Sequence, residues 1–354
     1  MSENALSPEG IAAIDPAGLI GDILAMPDHI VDAMWRAESA FLEPSPANSL
    51  VICGMGGSAI GADLAAALIG AAATRPIVTN RGYDLPSWVG EGDAVVLSSY
   101  SGSTEETLSC FEQAKDSGAK LYVISSGGPI SEAAHLAGIP LIGLPGIFQP
   151  RAAVAYGVVA VCEIAIASGI APATLRKDFT AAAELLRQLG AEWGPESPGD
   201  SLAKRLAREA YGRVPVIYGA DLTDPVAYRW RCQINENAKT AAWSAGLPEA
   251  NHNEICGWDG AEELAEHAAW FLLDVDQHPR IADRARITSE IASARGARAE
   301  SIVPRGESRA ERLFAAVFLG DLISLYLGVL RGVDPTPVPL IEDLKDRLGR
   351  PTAA

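Results

Sequence analysis

Short apolar, β-branched runs recur along this chain with helix-length segments between them, and that alternation restricts its fold more than any other feature. Leu50-Val-Ile-Cys53, Pro76-Ile-Val-Thr79, Ala94-Val-Val-Leu-Ser98 and Lys120-Leu-Tyr-Val-Ile-Ser125 are apolar on consecutive residues rather than on alternate ones. Strands of that kind are covered on both faces. Helical spacing runs from Ser58 to about Gly70, from Thr104 to about Ser117, from Ile130 to Ala137 and from Arg151 toward Ser168, with one more strand-like run over Ile139 to Leu144. Strands separated by helices build a parallel sheet with helices on both faces, so an α/β fold is expected.

The second half repeats the pattern more loosely. Val214 to Tyr218 precedes a helical stretch from Pro225 to Trp243, Trp270 to Asp274 precedes a helix through Ile281 to Ala294, and Ala299 to Val303 precedes a long helix ending near Leu330. Between the halves, residues 191–200 are rich in Gly, Pro and Ser and read as a link. Residues 1–48 form a helical arm with its periodic part over Gly18 to Phe41, 49–190 a first domain, 200–333 a second, and 334–354 a proline-stiffened strap followed by an amphipathic helix around Ile341 to Lys345.

At 354 residues the chain is long enough for two such domains. Its five cysteines are widely spaced and without a Cys-x-x-Cys pair, which points to reduced, buried thiols rather than a disulfide framework or a zinc site. A formal net charge of −17 with scattered basic residues argues against nucleic-acid binding. No apolar run long enough to span a bilayer and no basic N-terminal region stand out, so a soluble cytoplasmic protein with no membrane partner is expected.

Two turns at strand ends carry the chemistry. Ser99-Tyr-Ser-Gly-Ser-Thr-Glu-Glu-Thr107 places hydroxyls and a glycine between a strand and a helix, so Ser99, Ser101 and Thr104 can surround a phosphate together with the free amides of the helix N-terminus. An ordinary capping box closed by Ser101 or Ser103 is the plainer alternative. Gly54-Met-Gly-Gly-Ser58 follows the first strand; Gly57 allows close backbone approach and Ser58 adds a hydroxyl. It satisfies a loose dinucleotide fingerprint, but Asn80-Arg81 stands after the second strand where that fold places a ribose-binding acid, so no nucleotide cofactor is expected.

Four further residues can do acid, base or electrostatic work. Arg151 opens a helix, where a cation opposes the macrodipole. Glu236 lies on a helix with Trp230 and Ile234, flanked by Asn235 and Asn237; it suits proton transfer, or else a plain pair with Lys239. His252 sits in a non-helical Asn-His-Asn stretch, and Lys345 borders the apolar stripe of the last helix. No histidine and acid cluster has metal-ligand spacing.

Together these segments resemble the bifunctional phosphoglucose/phosphomannose isomerase family. The resemblance rests on residues 54–61, 80–86, 99–107, 149–153, 233–239, 251–255 and 344–345, in family order. It implies two flavodoxin-like sugar-isomerase (SIS) domains and interconversion of glucose 6-phosphate, and of mannose 6-phosphate, with fructose 6-phosphate. In that family's terms Gly57, Ser58, Ser99, Ser101 and Thr104 bind the phosphate, Glu236 moves the proton between C1 and C2, Arg151 faces the enediolate, and His252 and Lys345 open the ring. It also implies a homodimer that shares its active sites, with His252 supplied by the partner chain, and no cofactor or metal. Ser103 stands where the family usually has Asn, and Thr336 aligns loosely with a hydroxyl implicated in accepting mannose 6-phosphate. A non-catalytic sugar-phosphate sensor on the same fold is the alternative.

Overall fold

A computed structural model describes residues 5–349. Three helices, α1 (Pro8–Ile14), α2 (Leu19–Leu24) and α3 (Met26–Ser39), make the N-terminal arm. The periodic stretch expected over 18–41 is therefore two helices, broken at Ala25 just before Pro27, which opens α3 because it has no backbone N–H to give to an interior turn. Asp15 caps α2, its carboxylate accepting from the amides of Leu19 at 3.0 Å and Ile20 at 2.8 Å.

The first α/β unit then runs β1 (Leu50–Gly54), α4 (Gly56–Ile69), β2 (Ile77–Asn80), β3 (Ala94–Ser99), α5 (Glu105–Lys115), β4 (Lys120–Ser125), α6 (Gly128–Ala137), β5 (Leu141–Gly143) and α7 (Val154–Ala167). Helices α8 (Leu175–Trp193) and α9 (Leu202–Ala210) lead to the second. There follow β6 (Val214–Gly219), α10 (Asp224–Ala238), β7 (Trp243–Gly246), α11 (Ala261–Leu264), β8 (His267–Leu272), α12 (Pro279–Ala294), β9 (Arg298–Ile302), α13 (Arg309–Leu330) and α14 (Pro339–Leu348).

Both sheets are wholly parallel. Their orders are β2-β1-β3-β4-β5 and β7-β6-β8-β9, which is the flavodoxin-like arrangement the family resemblance implied. In each sheet successive residues point to opposite layers. Val51, Val95, Leu97 and Val123 face α5 and α6, whereas Leu50, Ile52, Val96 and Ile124 face the core shared with α4 and α7.

The inward faces of the two sheets belong to one continuous core, into which the arm residues Ile23, Met26 and Ile30 also pack. Its axis is α13. Its most apolar 18-residue stretch has a mean hydropathy of 2.1, and 94% of that stretch is buried. The chain thus does contain an apolar stretch long enough to span a bilayer, contrary to the sequence expectation, and the fold encloses it between α8, α9 and α10. Residues 191–200 are tied into this core: Tyr326 Oη donates to Trp193 O at 2.7 Å, and Lys204 Nζ to the carbonyls of Pro195 and Ser197, both at 2.7 Å.

The helix expected from Pro225 to Trp243 is also shorter. Lys239 adopts a left-handed conformation (φ 49°, ψ 40°) that ends α10 at Ala238, and Trp243 opens an edge strand paired with β6. Among the cysteines, Cys53, Cys110 and Cys162 are buried as expected, but Cys256 is exposed.

Candidate active site

The carboxyl ends of β1 and β3 converge. A Cβ at Gly54 would lie 2.9 Å from Ser98 O, so only glycine permits this approach. At Gly57 it would meet Pro150 O at 3.1 Å and Arg151 N at 3.8 Å, which places the β1–α4 turn against the segment that carries Arg151. Ser58, half-buried in the first turn of α4, is presented beside it.

In the second turn Ser99 closes β3 and Thr104 is the N-cap of α5, without a side-chain hydrogen bond to the helix. The capping box considered from the sequence is absent. Instead the hydroxyls bind one another: Ser99 Oγ lies 2.9 Å from Thr104 Oγ1, and Ser103 Oγ donates to Ser101 Oγ at 3.2 Å. The first-turn amides of α5 thus receive no side-chain cap and stand beside a ring of hydroxyls, the arrangement an anion needs. Ser103 takes part by tying Ser101 back, also through its amide at 3.3 Å.

Arg151 does not open its helix. It lies in the turn of residues 149–153, three positions ahead of α7. Its side chain is 7% exposed and reaches across to the second unit. Nε donates to Asn237 Oδ1 at 2.7 Å, Nη2 to the carbonyls of Pro335 and Thr336 at 2.8 Å each, and Nη1 lies 3.7 Å from Glu236 Oε2. Burial pushes the guanidinium below its usual range and the Glu236 carboxylate pulls it back.

Glu236 is half-buried on α10 and faces Arg151. The plain pair with Lys239 does not form: Lys239 Nζ donates to the Glu236 backbone carbonyl at 2.7 Å and to Pro335 O at 3.1 Å. The strap after α13 is therefore held by two cations. Thr336 Oγ1, on that strap, is buried without a hydrogen-bond partner.

The structure brings together the two turns, Arg151, Glu236 and the strap. His252 and Lys345 lie elsewhere on the surface, His252 at the end of a 3-10 turn (Glu249–His252) and Lys345 on α14. Among the described residues neither side chain bonds to Arg151, Glu236 or the hydroxyl turn. Nor do any three His, Cys, Asp or Glu side chains among the described residues converge as metal ligands.

The residues beneath Arg151 are joined to it by no local pattern, and Asn237, expected only as a neighbour of Glu236, is its hydrogen-bond partner. Asn237 is fully buried, and Arg229, bound to Asp321 of α13, donates through Nη2 to Arg151 O at 2.8 Å. An aspartate in the middle of an otherwise apolar helix was the available signal.

Two parallel sheets around a common helical layer, with a hydroxyl turn at the carboxyl ends of the first, define a protein of the SIS class. Residues 199–348 match the family description "Bacterial phospho-glucose isomerase C-terminal SIS domain". A bifunctional phosphoglucose/phosphomannose isomerase of Caldicellulosiruptor bescii is 38% identical over 85% of this chain and 89% of its own. One from Aquifex aeolicus is 33% identical over 86% and 91%. Among solved structures, a hypothetical protein of Thermus thermophilus superposes with a TM-score of 0.72 at 16% identity, covering 94% of this chain and 91% of that one. The chain belongs to the bifunctional phosphoglucose/phosphomannose isomerase family, and it is an enzyme.

Proposed function

We propose that this protein interconverts fructose 6-phosphate with glucose 6-phosphate and mannose 6-phosphate. The observation that carries this reading is the half-buried Glu236 carboxylate 3.7 Å from the buried guanidinium of Arg151, next to the segment that abuts the β1–α4 turn. A base and a cation so placed suit a reaction that forms and quenches an anion within one site.

The 6-phosphate is held by Ser58, Ser99, Ser101 and Thr104, the Gly57 turn and the helix-terminal amides. These are neutral donors. With a net charge of −17 the protein as a whole repels the substrate, and Arg151 and Lys239 supply local positive charge at the reacting end. Ring opening moves the O1 proton to O5, work assigned to His252 and Lys345. Glu236 then takes the C2 proton of the aldose, the C–H electron pair becomes the C1=C2 bond, and the carbonyl electrons collect on O1, where Arg151 stabilises them. Return of the proton from Glu236 to C1, with the O2 proton passing to O1, gives the ketose. Glucose and mannose 6-phosphates share this cis-enediolate, so one base serves both. The unpaired hydroxyl of Thr336, buried on the strap beside Arg151, supports a role for this residue in accepting the second aldose.

The exposed positions of His252 and α14 support a homodimer in which the partner completes the ring-opening set. Leu340, Leu344 and Leu348 are 84%, 57% and 67% exposed, an apolar face that an associated surface would cover. The free thiols support residence in the reducing cytoplasm.

The test is a coupled assay from fructose 6-phosphate with both aldoses quantified. Wild-type protein is expected to form both, and Glu236→Gln to lower kcat by about 100-fold or more while still binding sugar phosphate. Absence of either activity in wild type, or substantial turnover by the variant, would overturn the assignment.

A further inference from the structure

We propose that Asp321 and Ser324, one turn apart on α13, are positioning residues for Arg151, acting through Arg229 on its backbone and through Asn237 on its guanidinium. The inference rests on the isomerase reading and concerns what aims its cation.

Asp321 is the one charged side chain between Leu313 and Val329. It is 1% exposed and its partner Arg229 is 2% exposed. A buried ion pair of this kind contributes little to stability by itself, since apolar residues of similar volume often serve as well or better. What distinguishes it is where its bonds lead. Arg229 grips the carboxylate with Nε at 3.1 Å and Nη2 at 2.7 Å, and Gln233 Nε2 donates to it at 3.0 Å. So fixed, the same Nη2 of Arg229 donates to Arg151 O at 2.8 Å and pins the turn that bears the catalytic arginine.

The second route is separate. Ser324 Oγ donates to the Asp321 backbone carbonyl at 2.8 Å, so its proton is spent and it can only accept from Asn237 Nδ2, at 2.9 Å. That choice settles the Asn237 amide, whose oxygen must then face Arg151 and accept from Nε at 2.7 Å. With Nε held by Asn237 and Nη2 by the strap carbonyls, the plane of the guanidinium is defined, and Nη1 is the nitrogen left toward Glu236. Loss of the serine hydroxyl leaves the Asn237 NH₂ without its acceptor, so the amide that receives Nε is no longer anchored from α13.

Two variants separate positioning from packing. In Ser324→Ala the amide loses its orienting acceptor; in the double variant R229M/D321L the ion pair is replaced by apolar volume. Each leaves one buried amide N–H without an acceptor, on Asn237 or on Gln233, so each is expected to lose a few degrees in melting temperature while keeping a KM for fructose 6-phosphate within about threefold, because the phosphate turns are untouched. Each is expected to lose about tenfold or more in kcat, the scale on which small misplacements of a catalytic group act. Ser324→Thr, which restores the hydroxyl, should recover most of that loss. A purely structural role would lower the melting temperature alone and leave kcat per folded enzyme unchanged, and that result would overturn the proposal. If the double variant does not fold, the Ala and Thr pair at position 324 decides: equal kcat in both refutes the side-chain route, and loss in Ala with recovery in Thr supports it. Wild type and Glu236→Gln are assayed in parallel. An inactive wild type refutes the isomerase reading, whereas active wild type with equally active variants refutes only this inference.

Discussion

His29, on the N-terminal arm, lies between the rings of Phe148 at 4.5 Å and Tyr156 at 5.2 Å, centroid to centroid. It is 3% exposed, and neither ring nitrogen has a hydrogen-bond partner. Burial pushes its imidazole below the ordinary value of 6.5, with Asp28 and Asp32 opposing. The folded protein therefore resists a proton that the unfolded chain accepts. Stability that is fully present above pH 6.5 is lost as the pH falls from there toward the folded-state value, with a limiting slope of about 1.4 kcal/mol per pH unit for one proton. His29→Leu should flatten the fall in melting temperature between pH 6.5 and 5. Parallel curves for variant and wild type would show that the ring is not the acid-sensitive group. Because Phe148 leads directly to Arg151, wild-type activity should decline over the same interval.

At the scale of elements, the hydroxyl turn depends on how closely two loops approach. Gly102 has φ +70°, and a Cβ there would come within 1.8 Å of Gly127 O. Gly138, with φ +64°, would meet nothing within 4 Å. The two positions share backbone strain and differ in steric conflict. Gly138→Ala should cost about 1 kcal/mol and leave the KM for fructose 6-phosphate unchanged. Gly102→Ala should cost about 2 kcal/mol or more and raise that KM, because the β3–α5 and β4–α6 turns must separate and carry Ser101 with them. Melting curves and initial rates on both variants check this; equal KM values would remove the turn from phosphate binding.

At the scale of the whole molecule, two sheets share one core, and the last element stands apart from it. Helix α14 has no buried residue, whereas the strap before it is held by Arg151 and Lys239 through the carbonyls of Pro335 and Thr336. A chain ending at Val338 should therefore keep its fold and melting temperature. On the proposed homodimer and the proposed ring-opening role of Lys345, it should also show half the wild-type mass by light scattering and lose most turnover of the closed-ring aldoses. An unchanged mass and unchanged kcat would place both the interface and the ring-opening group elsewhere.

Much of this was legible without coordinates, because it is carried by local pattern. Consecutive apolar residues such as Val95 to Leu97 indicate a strand covered on both faces, and from such runs follow the two parallel sheets and the position of the hydroxyl turn at a strand's carboxyl end. Where two local patterns overlap, reading fails. The spacing of Trp230, Ile234, Ala238 and Trp243 suits one helix, yet the edge of β6 claims Trp243 and ends α10 five residues early. The hydrogen-bond partners lay wholly outside local pattern. Arg151 and Asn237 are 86 residues apart, Arg229 and Asp321 are 92 apart, and no spacing rule relates residues so distant. The sheets, the hydroxyl-rich turns at their carboxyl ends and the residue types available for proton transfer are all written in local sequence. That one buried aspartate and one serine on α13 stand under Arg151 follows from the folded core alone, since a partner across it is chosen by packing and by the need to satisfy every buried polar group.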